Sequence, residues 1–436
     1  MEEQPRRSEL RMHYLVISVA LYNIERCIVS IVGQHLLHEG GRCAIFSRAM
    51  QGPSKLLDPR PEARTPAIEL DGVEVRLIRL PLIEPFETSF GKIDSRLIFL
   101  LCLKAGGLQG WGEVVASEEP RYSYETVRTA FHVILDFFGP ALLTEPIVDL
   151  DDLAQRLAPF RGHNMAKAGL ELAFMDLLAQ VNQQSLSALI GGELKHVPVG
   201  VSLGIQPTVA RLLERVEKYL DLGYRRIKLK IKPGWDLDVV GEVRRRYPDI
   251  LLSVDANSAY TLDDQDHLKK LDHFNLLMVE QPLQNDDLVD HAKLQKLMKT
   301  PICLDESVVS QRHAETALEL GSCRIINIKV GRVGGYSQAL GIHNLCRSRN
   351  IPVWCGGMLE SGIGRAHNIA LASLPGFTLP GDISASSRYF ERDVISPAVT
   401  VASDGTVAVP GSQGLGFEVD LGFIERCTET RVYMAR

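Results

Sequence analysis

The sequence has no CxxC pair, no dense cysteine framework and no apolar run long enough to cross a bilayer. Its eight cysteines (27, 43, 102, 303, 323, 346, 355 and 427) are scattered, which argues against a disulfide scaffold and reads as reduced thiols of a cytoplasmic protein. An excess of one charge is also missing. A net charge of −6 and a pI near 6.1 give no reason to expect nucleic acid or a membrane surface as partner. No low-complexity tract is present. The glycines of "GRVGGY" lack both the Lys-Ser/Thr sequel of a phosphate loop and the GxGxxG spacing. What remains is a chain of 436 residues with 45% hydrophobic content, too long for one ordinary core and apolar enough to fill a barrel and a second domain.

Within it, ionisable residues recur at a nearly fixed interval. Lys230, Asp255, Glu280, Asp305 and Lys329 are separated by steps of 25, 25, 25 and 24 residues. Each ends a short apolar, β-branched run: "RRIKLKI", "ILLSVDAN", "LLMVEQP", "PICLDES" and "RIINIKV". Segments of helical spacing such as "DLDVVGEVRRRY" lie between them, so the period reads as consecutive βα units, which close into a barrel when eight are available. Side chains alternate along a strand. Lys228 and Lys230 therefore share one face, as do Ser253, Asp255 and Asn257, then Cys303, Asp305 and Ser307, then Asn327 and Lys329. This face points inward at the C-terminal ends of the strands, where barrel enzymes carry their chemistry. A single charge there would be an ordinary strand-end residue. Five in register argue for function, because buried charges are costly unless paired or metal-bound.

The rest of the chain arranges itself around this core. Residues 1–65 combine Arg6, Arg7 and Arg11, the short apolar run "YLVISVALY" and a Pro-rich stretch, and read as a poorly structured extension rather than an export signal. Residues 66–190 read as an α+β domain. "AIELDGVEVRLIRLPL" suggests a hairpin at Asp71-Gly72, "IEPFETSFGKI" a loop, and "RLIFLLCLKAGGLQGWGEVV" two strands around Gly106-Gly107. "YSYETVRTAFHVILDFFGPALL" and the run from Asn164 to Gln180 read as amphipathic helices. The barrel occupies 191–393, with "VPVGVSLGI" as its first strand and "IPVWCGGMLESGIGRA" and "FTLPGDIS" as the seventh and eighth. Residues 394–436 return to strand and turn composition and fold back onto the first domain. Trp111-Gly112-Glu113 reads as the end of a strand and Trp354 as barrel packing.

Three carboxylates with no His or Cys in register make an all-oxygen site for a hard divalent cation, Mg²⁺ by nature with Mn²⁺ as substitute. Lysines on both flanks of such a site suit removal of a proton from the carbon beside a carboxylate. The base must first lose its own proton, so its pKa is expected to fall from ~10.4 toward ~7–8. The cation and the neighbouring lysine push it down, while the carboxylates push back.

With "RIKLKIKPGWD", "PICLDES", "GRVGGY" and "PVWCGGMLESGIGRA" added to that spacing, residues 66–436 resemble the enolase superfamily, in the group of o-succinylbenzoate synthases and N-acylamino acid racemases. Val330 is a small departure, standing where Pro or Ile follows the lysine in the family pattern. The resemblance implies a modified TIM barrel, (β/α)7β, under an α+β capping domain. It implies Lys230 as the base, Lys329 as the electrostatic partner, and Asp255, Glu280 and Asp305 as Mg²⁺ ligands. Substrate contacts would come from Lys228, Asn257, Phe90, Gly356 and Met358, Phe90 lying in the cap loop from Phe86 to Gly91. The implied substrate is a small carboxylate, either a cyclohexadiene carboxylate dehydrated to 2-succinylbenzoate for menaquinone synthesis or an N-succinylamino acid racemised. A homo-oligomer is compatible with either. Arg332 would tune Lys329, orient an acyl group or simply face solvent. A catalytically dead binding scaffold is disfavoured by the intact constellation. An acid-sugar dehydratase is disfavoured because His367 falls in a helix rather than at a strand end.

Overall fold

The computed structural model describes residues 66–436; the extension read at 1–65 lies outside the described residues. Three antiparallel strands open the described chain: β1 (Gly72–Thr88), β2 (Gly91–Ala105) and β3 (Leu108–Val114). The C-terminal strand Thr428–Ala435 adds to β1 and completes a four-stranded sheet. The hairpin expected at Asp71-Gly72 does not form, because β1 begins there and runs on for 17 residues. The expected loop is instead the tip of a long β1–β2 hairpin, bulged between Pro81 and Phe86 and still paired at Phe86–Ile93 and Thr88–Gly91. Gly106 and Gly107 make the β2–β3 turn with positive φ.

The helix Asn164–Val181 covers this sheet. Gly110 and Gly112 share one face of β3, and a Cβ on either would stand 2.2 Å from a carbonyl oxygen of the helix. Glycine there lets the backbones approach. The helix was expected to be amphipathic, yet 14 of its 18 residues are buried. It lies between the sheet and other helices, and so has no solvent face to pattern.

The strand β4 (His196–Pro198) pairs with Thr406–Ala408 of the C-terminal return. Then follow seven parallel strands, each hydrogen-bonded to the next: β5 (Gly200–Leu203), β6 (Arg226–Lys230), β7 (Leu251–Asp255), β8 (Val279–Glu280), β9 (Ile302–Leu304), β10 (Ile325–Ile328) and β11 (Val353–Cys355). Helices such as Val209–Asp221, Leu237–Arg246, Gln311–Leu320 and Tyr336–Ser348 make the crossovers. The eighth segment is not a strand. It closes the ring through single bridges, Phe377 to Val353 and Gly381 to Val199. Pro380 interrupts it, having no N–H to continue a ladder.

Three buried glutamates fasten helix N-termini from a distance. Glu125 accepts from the amides of Met165 and Ala166, Glu113 from Ser361 and Gly364, and Glu171 from the amide and hydroxyl of Ser337. Each satisfies donors that a helix start leaves unpaired. Burial pushes the carboxyl of all three up to about 7, against the pull of those hydrogen bonds. A carboxyl held above its ordinary value binds a proton in the folded state that the unfolded chain has already released. Its contribution is therefore largest below pH ~4.5 and declines as pH rises toward 7. For Glu171→Gln, urea denaturation should show wild type losing stability relative to the variant between pH 5 and pH 7. A pH-independent difference would show that Glu171 titrates at its ordinary value when folded.

Candidate active site

The parallel register brings the periodic residues side by side. Lys230 aligns with Asp255 across β6–β7, and Asp255 with Glu280 across β7–β8. Asp305 follows β9, and Lys329 leaves β10 as the residue before a short helix, Val330–Val333. Asp255, Glu280 and Asp305 are at most 1% exposed; Lys228, Lys230 and Lys329 are 2%, 9% and 7% exposed. Beyond β7 the chain turns sharply, with φ +44° at Asn257 and +63° at Ser258. Asn257 tolerates that conformation better than most residues and presents its amide to the site.

Every carboxylate meets an amine. Lys230 donates to Asp255 Oδ2 at 2.7 Å and to Asn257 Oδ1 at 2.6 Å. Lys228 donates to Glu280 Oε2 at 2.7 Å, and Lys329 to Asp305 Oδ2 at 2.7 Å. Glu280 Oε1 also accepts from Asn327 Nδ2. Burial raises the Asp255 carboxyl, but Lys230 and Lys228 outweigh it and hold the group below its ordinary range. Glu280 moves the other way, raised by burial and by the charge of Asp255. The expected push of the carboxylates is seen at Lys329, the electrostatic partner: burial lowers its pKa, but Tyr122, Glu280, Glu306 and Asp255 outweigh burial and hold it above the ordinary amine value. Lys228 is raised in the same way, by Asp382, Glu280 and Asp255. The push of the carboxylates thus exceeds desolvation.

Among the described residues no three His, Cys, Asp or Glu side chains converge as a ready-made metal cluster, since the carboxylate oxygens turn onto the amines. The donor set still fits a hard cation. It is all oxygen, it is buried, and two of its members are close enough for Asp255 to raise Glu280, a repulsion that a divalent ion relieves.

The lysines line one cavity of about 420 Å³ between the barrel mouth and the β1–β2 hairpin. Lys228, Asn257, Phe90 and Met358 border it as well. Gly356 does not. A Cβ there would meet Asn327 Oδ1 at 2.2 Å, so this glycine admits a neighbouring side chain, and Gly357 reaches the cavity instead. The hairpin tip closes onto the barrel through Ser89 Oγ, which donates to the Asn257 carbonyl, and through the Glu87 carbonyl, which accepts from the Ile205 amide. His367 is fully buried in the helix Gly362–Ala372, bonded to the Trp111 carbonyl, and burial lowers its pKa to about 4. It does not line the cavity. Arg332 is buried rather than solvent-facing, and holds Asp305 and the carbonyls of Val308 and Asn327.

Tyr122 and Asp382 bond directly to the site lysines and escaped the sequence reading. Tyr122, from the segment after β3, donates to Asp305 Oδ1 at 3.0 Å and accepts from Lys329 at 3.1 Å, with its ring 4.6 Å from the amine. "RYSYE" carries no periodic signal that could have marked it. Asp382, from the eighth segment, pairs with Lys228 and Arg226, each at 2.7 Å. It ends "FTLPGD" much as the other charges end their strands, so the same rule could have found it.

Seven parallel strands with alternating helices, an antiparallel cap and charges at the strand ends define a class of barrel enzyme. The chain belongs to the enolase superfamily: residues 72–191 match the mandelate racemase / muconate lactonizing enzyme N-terminal domain and residues 211–422 the enolase C-terminal domain-like family. Enzymes of this superfamily generally use Mg²⁺. The chain is 55% identical to an o-succinylbenzoate synthase of Geobacillus stearothermophilus, over 83% of this chain and 97% of that one. It is 49% identical to an N-succinylamino acid racemase of Thermus thermophilus, over 84% of this chain and 100% of the relative. A crystal structure of a superfamily member from Listeria innocua matches with a TM-score of 0.82 and 42% identity, over 84% of this chain and 99% of that one. Among the described residues no helix is long and apolar enough to cross a membrane.

Asp382 is the sole ion-pair partner of Arg226 among the described residues, and Arg226 Nε and Nη1 have no hydrogen-bond partner. Asp382→Ala should therefore cost about 3–5 kcal/mol, the usual penalty for stranding a buried charge. Urea unfolding measures it, and a loss below ~1 kcal/mol would mean that the pair is relaxed by solvent.

Proposed function

We propose that this protein is an o-succinylbenzoate synthase, with N-succinylamino acid racemisation as a second activity of the same site. One observation carries the reading: Lys230 and Lys329 border a single cavity, from strands on either side of a row of three buried carboxylates. The names of the relatives give the chemistry its substrates.

In the proposed reaction Lys230, as the free amine, removes the proton on the carbon beside the carboxylate of 2-succinyl-6-hydroxy-2,4-cyclohexadiene-1-carboxylate. It then returns that proton to the departing hydroxide, so that 2-succinylbenzoate and water leave. Asn257 fixes the amine through its Oδ1, and Lys329 stays cationic, opposing the negative charge that develops on the substrate. Asp255, Glu280 and Asp305 would hold Mg²⁺, or Mn²⁺ in its place. The ion, when bound, supplies positive charge to the substrate carboxylate and counters the carboxylates that hold amine pKa values high. Lys228, paired to Glu280 and Asp382, keeps the carboxylate row in position. Racemisation asks more of the same residues, because each face of the α-carbon needs its own lysine to take or give a proton. The domain boundaries near 190 and 393 and a cytoplasmic location are part of this proposal.

Asp255→Asn, Glu280→Gln and Asp305→Asn should each weaken Mg²⁺ binding in calorimetry while the fold persists. Unchanged affinity in all three would refute the ligand assignment. Lys329→Arg keeps a cation that cannot deprotonate near neutral pH, so it should retain part of the synthase activity and lose racemisation, whereas Lys230→Arg should abolish both. In D₂O, Lys329→Arg should exchange the α-proton of one N-succinylamino acid enantiomer only. Exchange of both, or of neither, would rule out two lysines on opposite faces.

A further inference from the structure

The buried lysines that line the cavity are all paired with carboxylates: Lys228, Lys230 and Lys329 each have one at 2.7 Å. Arg121 and Lys92 lie at the exposed rim, where water screens their charge. Arg96 fits neither description. It comes from β2 of the cap, borders the same cavity and is 6% exposed. Its Nη1 and Nη2 reach only Ser117 Oγ and the Val115 carbonyl, both at 3.4 Å, and Nε has no hydrogen-bond partner. No carboxylate of the described residues forms an ion pair with it. Glu113, Glu360 and Glu118 attract it from farther away, but all three are committed elsewhere: Glu113 accepts from Ser361 and Gly364, Glu360 from Asn368, and Glu118 from Arg79. A guanidinium offers five donors in a planar fork, and burying one without an anion is costly. Its natural partner is a carboxylate bound bidentately.

We propose that Arg96 receives the second carboxylate of a dicarboxylate substrate, the one at the end of the succinyl arm, while the carboxylate beside the reacting carbon lies among the barrel residues. The inference rests on the synthase and racemase reading above. It also gives that reading a physical link, because 2-succinylbenzoate and an N-succinylamino acid share, besides the carboxylate that goes to the barrel, a four-carbon acyl arm ending in a carboxylate. An anchor on that arm serves both reactions. The barrel lysines then meet whichever α-carbon the anchored arm presents.

The test compares two ligands by calorimetry in the presence of Mg²⁺: 2-succinylbenzoate, and 2-butanoylbenzoate, in which a methyl group replaces the terminal carboxylate of the arm. Wild type should prefer the dicarboxylate by roughly 10–100-fold, the value of a charge-assisted hydrogen-bonded pair. Arg96→Met should lose that preference by weakening only the dicarboxylate, and Arg96→Lys should keep part of it. Equal weakening of both ligands in the variant would overturn the inference. So would a wild type that binds the two equally, a result that does not depend on any variant folding. Turnover of the cyclohexadiene substrate by wild type is measured alongside. Its absence would overturn the proposed function and the inference with it, whereas turnover without ligand discrimination overturns the inference alone.

Discussion

Burying three carboxylates and three amines at the mouth of one barrel is the constraint from which the rest of the site follows. Alone, any of these charges would cost several kcal/mol to bury. With the amines at β6 and after β10 and the carboxylates in a row between them, they compensate one another, each amine lying 2.7 Å from an oxygen. The compensation is uneven. Asp255 has two lysines and is held low, whereas Glu280 sits beside Asp255 and is raised. Beside the row, Tyr122, Glu280, Glu306 and Asp255 hold the Lys329 amine above its ordinary value. A site built this way stays packed in the protein alone, yet is biased toward accepting further positive charge.

The second constraint is the seam between cap and barrel, which must keep the cavity in register with the lysines. Besides apolar packing, it carries carboxylates placed on helix N-termini of the other part: Glu113 on the helix Gly362–Ala372 and Glu171 on the helix Tyr336–Ser348. Gly335, at φ +109°, leaves room for Glu171; a Cβ there would lie 2.3 Å from its Oε2. Such contacts are directional, unlike apolar packing, so they fix where the cap sits. Tyr122 uses that placement. Carried by the segment after β3, its hydroxyl reaches between Lys329 and Asp305.

What could be read from the sequence was what repeats. A 25-residue period and strand parity located Lys230, Asp255, Glu280, Asp305 and Lys329, because register in a parallel sheet follows from local alternation. What does not repeat could not be read this way. The tip of the β1–β2 hairpin looked like a loop because its Pro, Gly and Ser content hides pairing that depends on the partner strand. The helix Asn164–Val181 looked amphipathic, although it is covered by the cap sheet on one side and by the helices Val330–Val333 and Tyr336–Ser348 on another. Gly356 looked like a ligand-facing glycine, and only the position of Asn327 shows that it serves packing. Tyr122 and Arg96 lie on the cap, where no period ties them to the barrel.

That division between a periodic barrel and an aperiodic cap has a consequence for specificity. In the barrel each charge is bonded to its neighbours, so changing one alters the ionisation of several, and the constellation resists piecemeal variation. Arg96 is bound to the protein by two long hydrogen bonds only, and Phe90 offers its ring and backbone at a hairpin tip. Residues so loosely coupled can change without disturbing the carboxylate row. Chemistry held by the barrel and recognition held by the cap can then vary independently. Under the proposed reading, proton abstraction by the barrel is common to both reactions, and the step that follows depends on which carbon the cap delivers to which lysine.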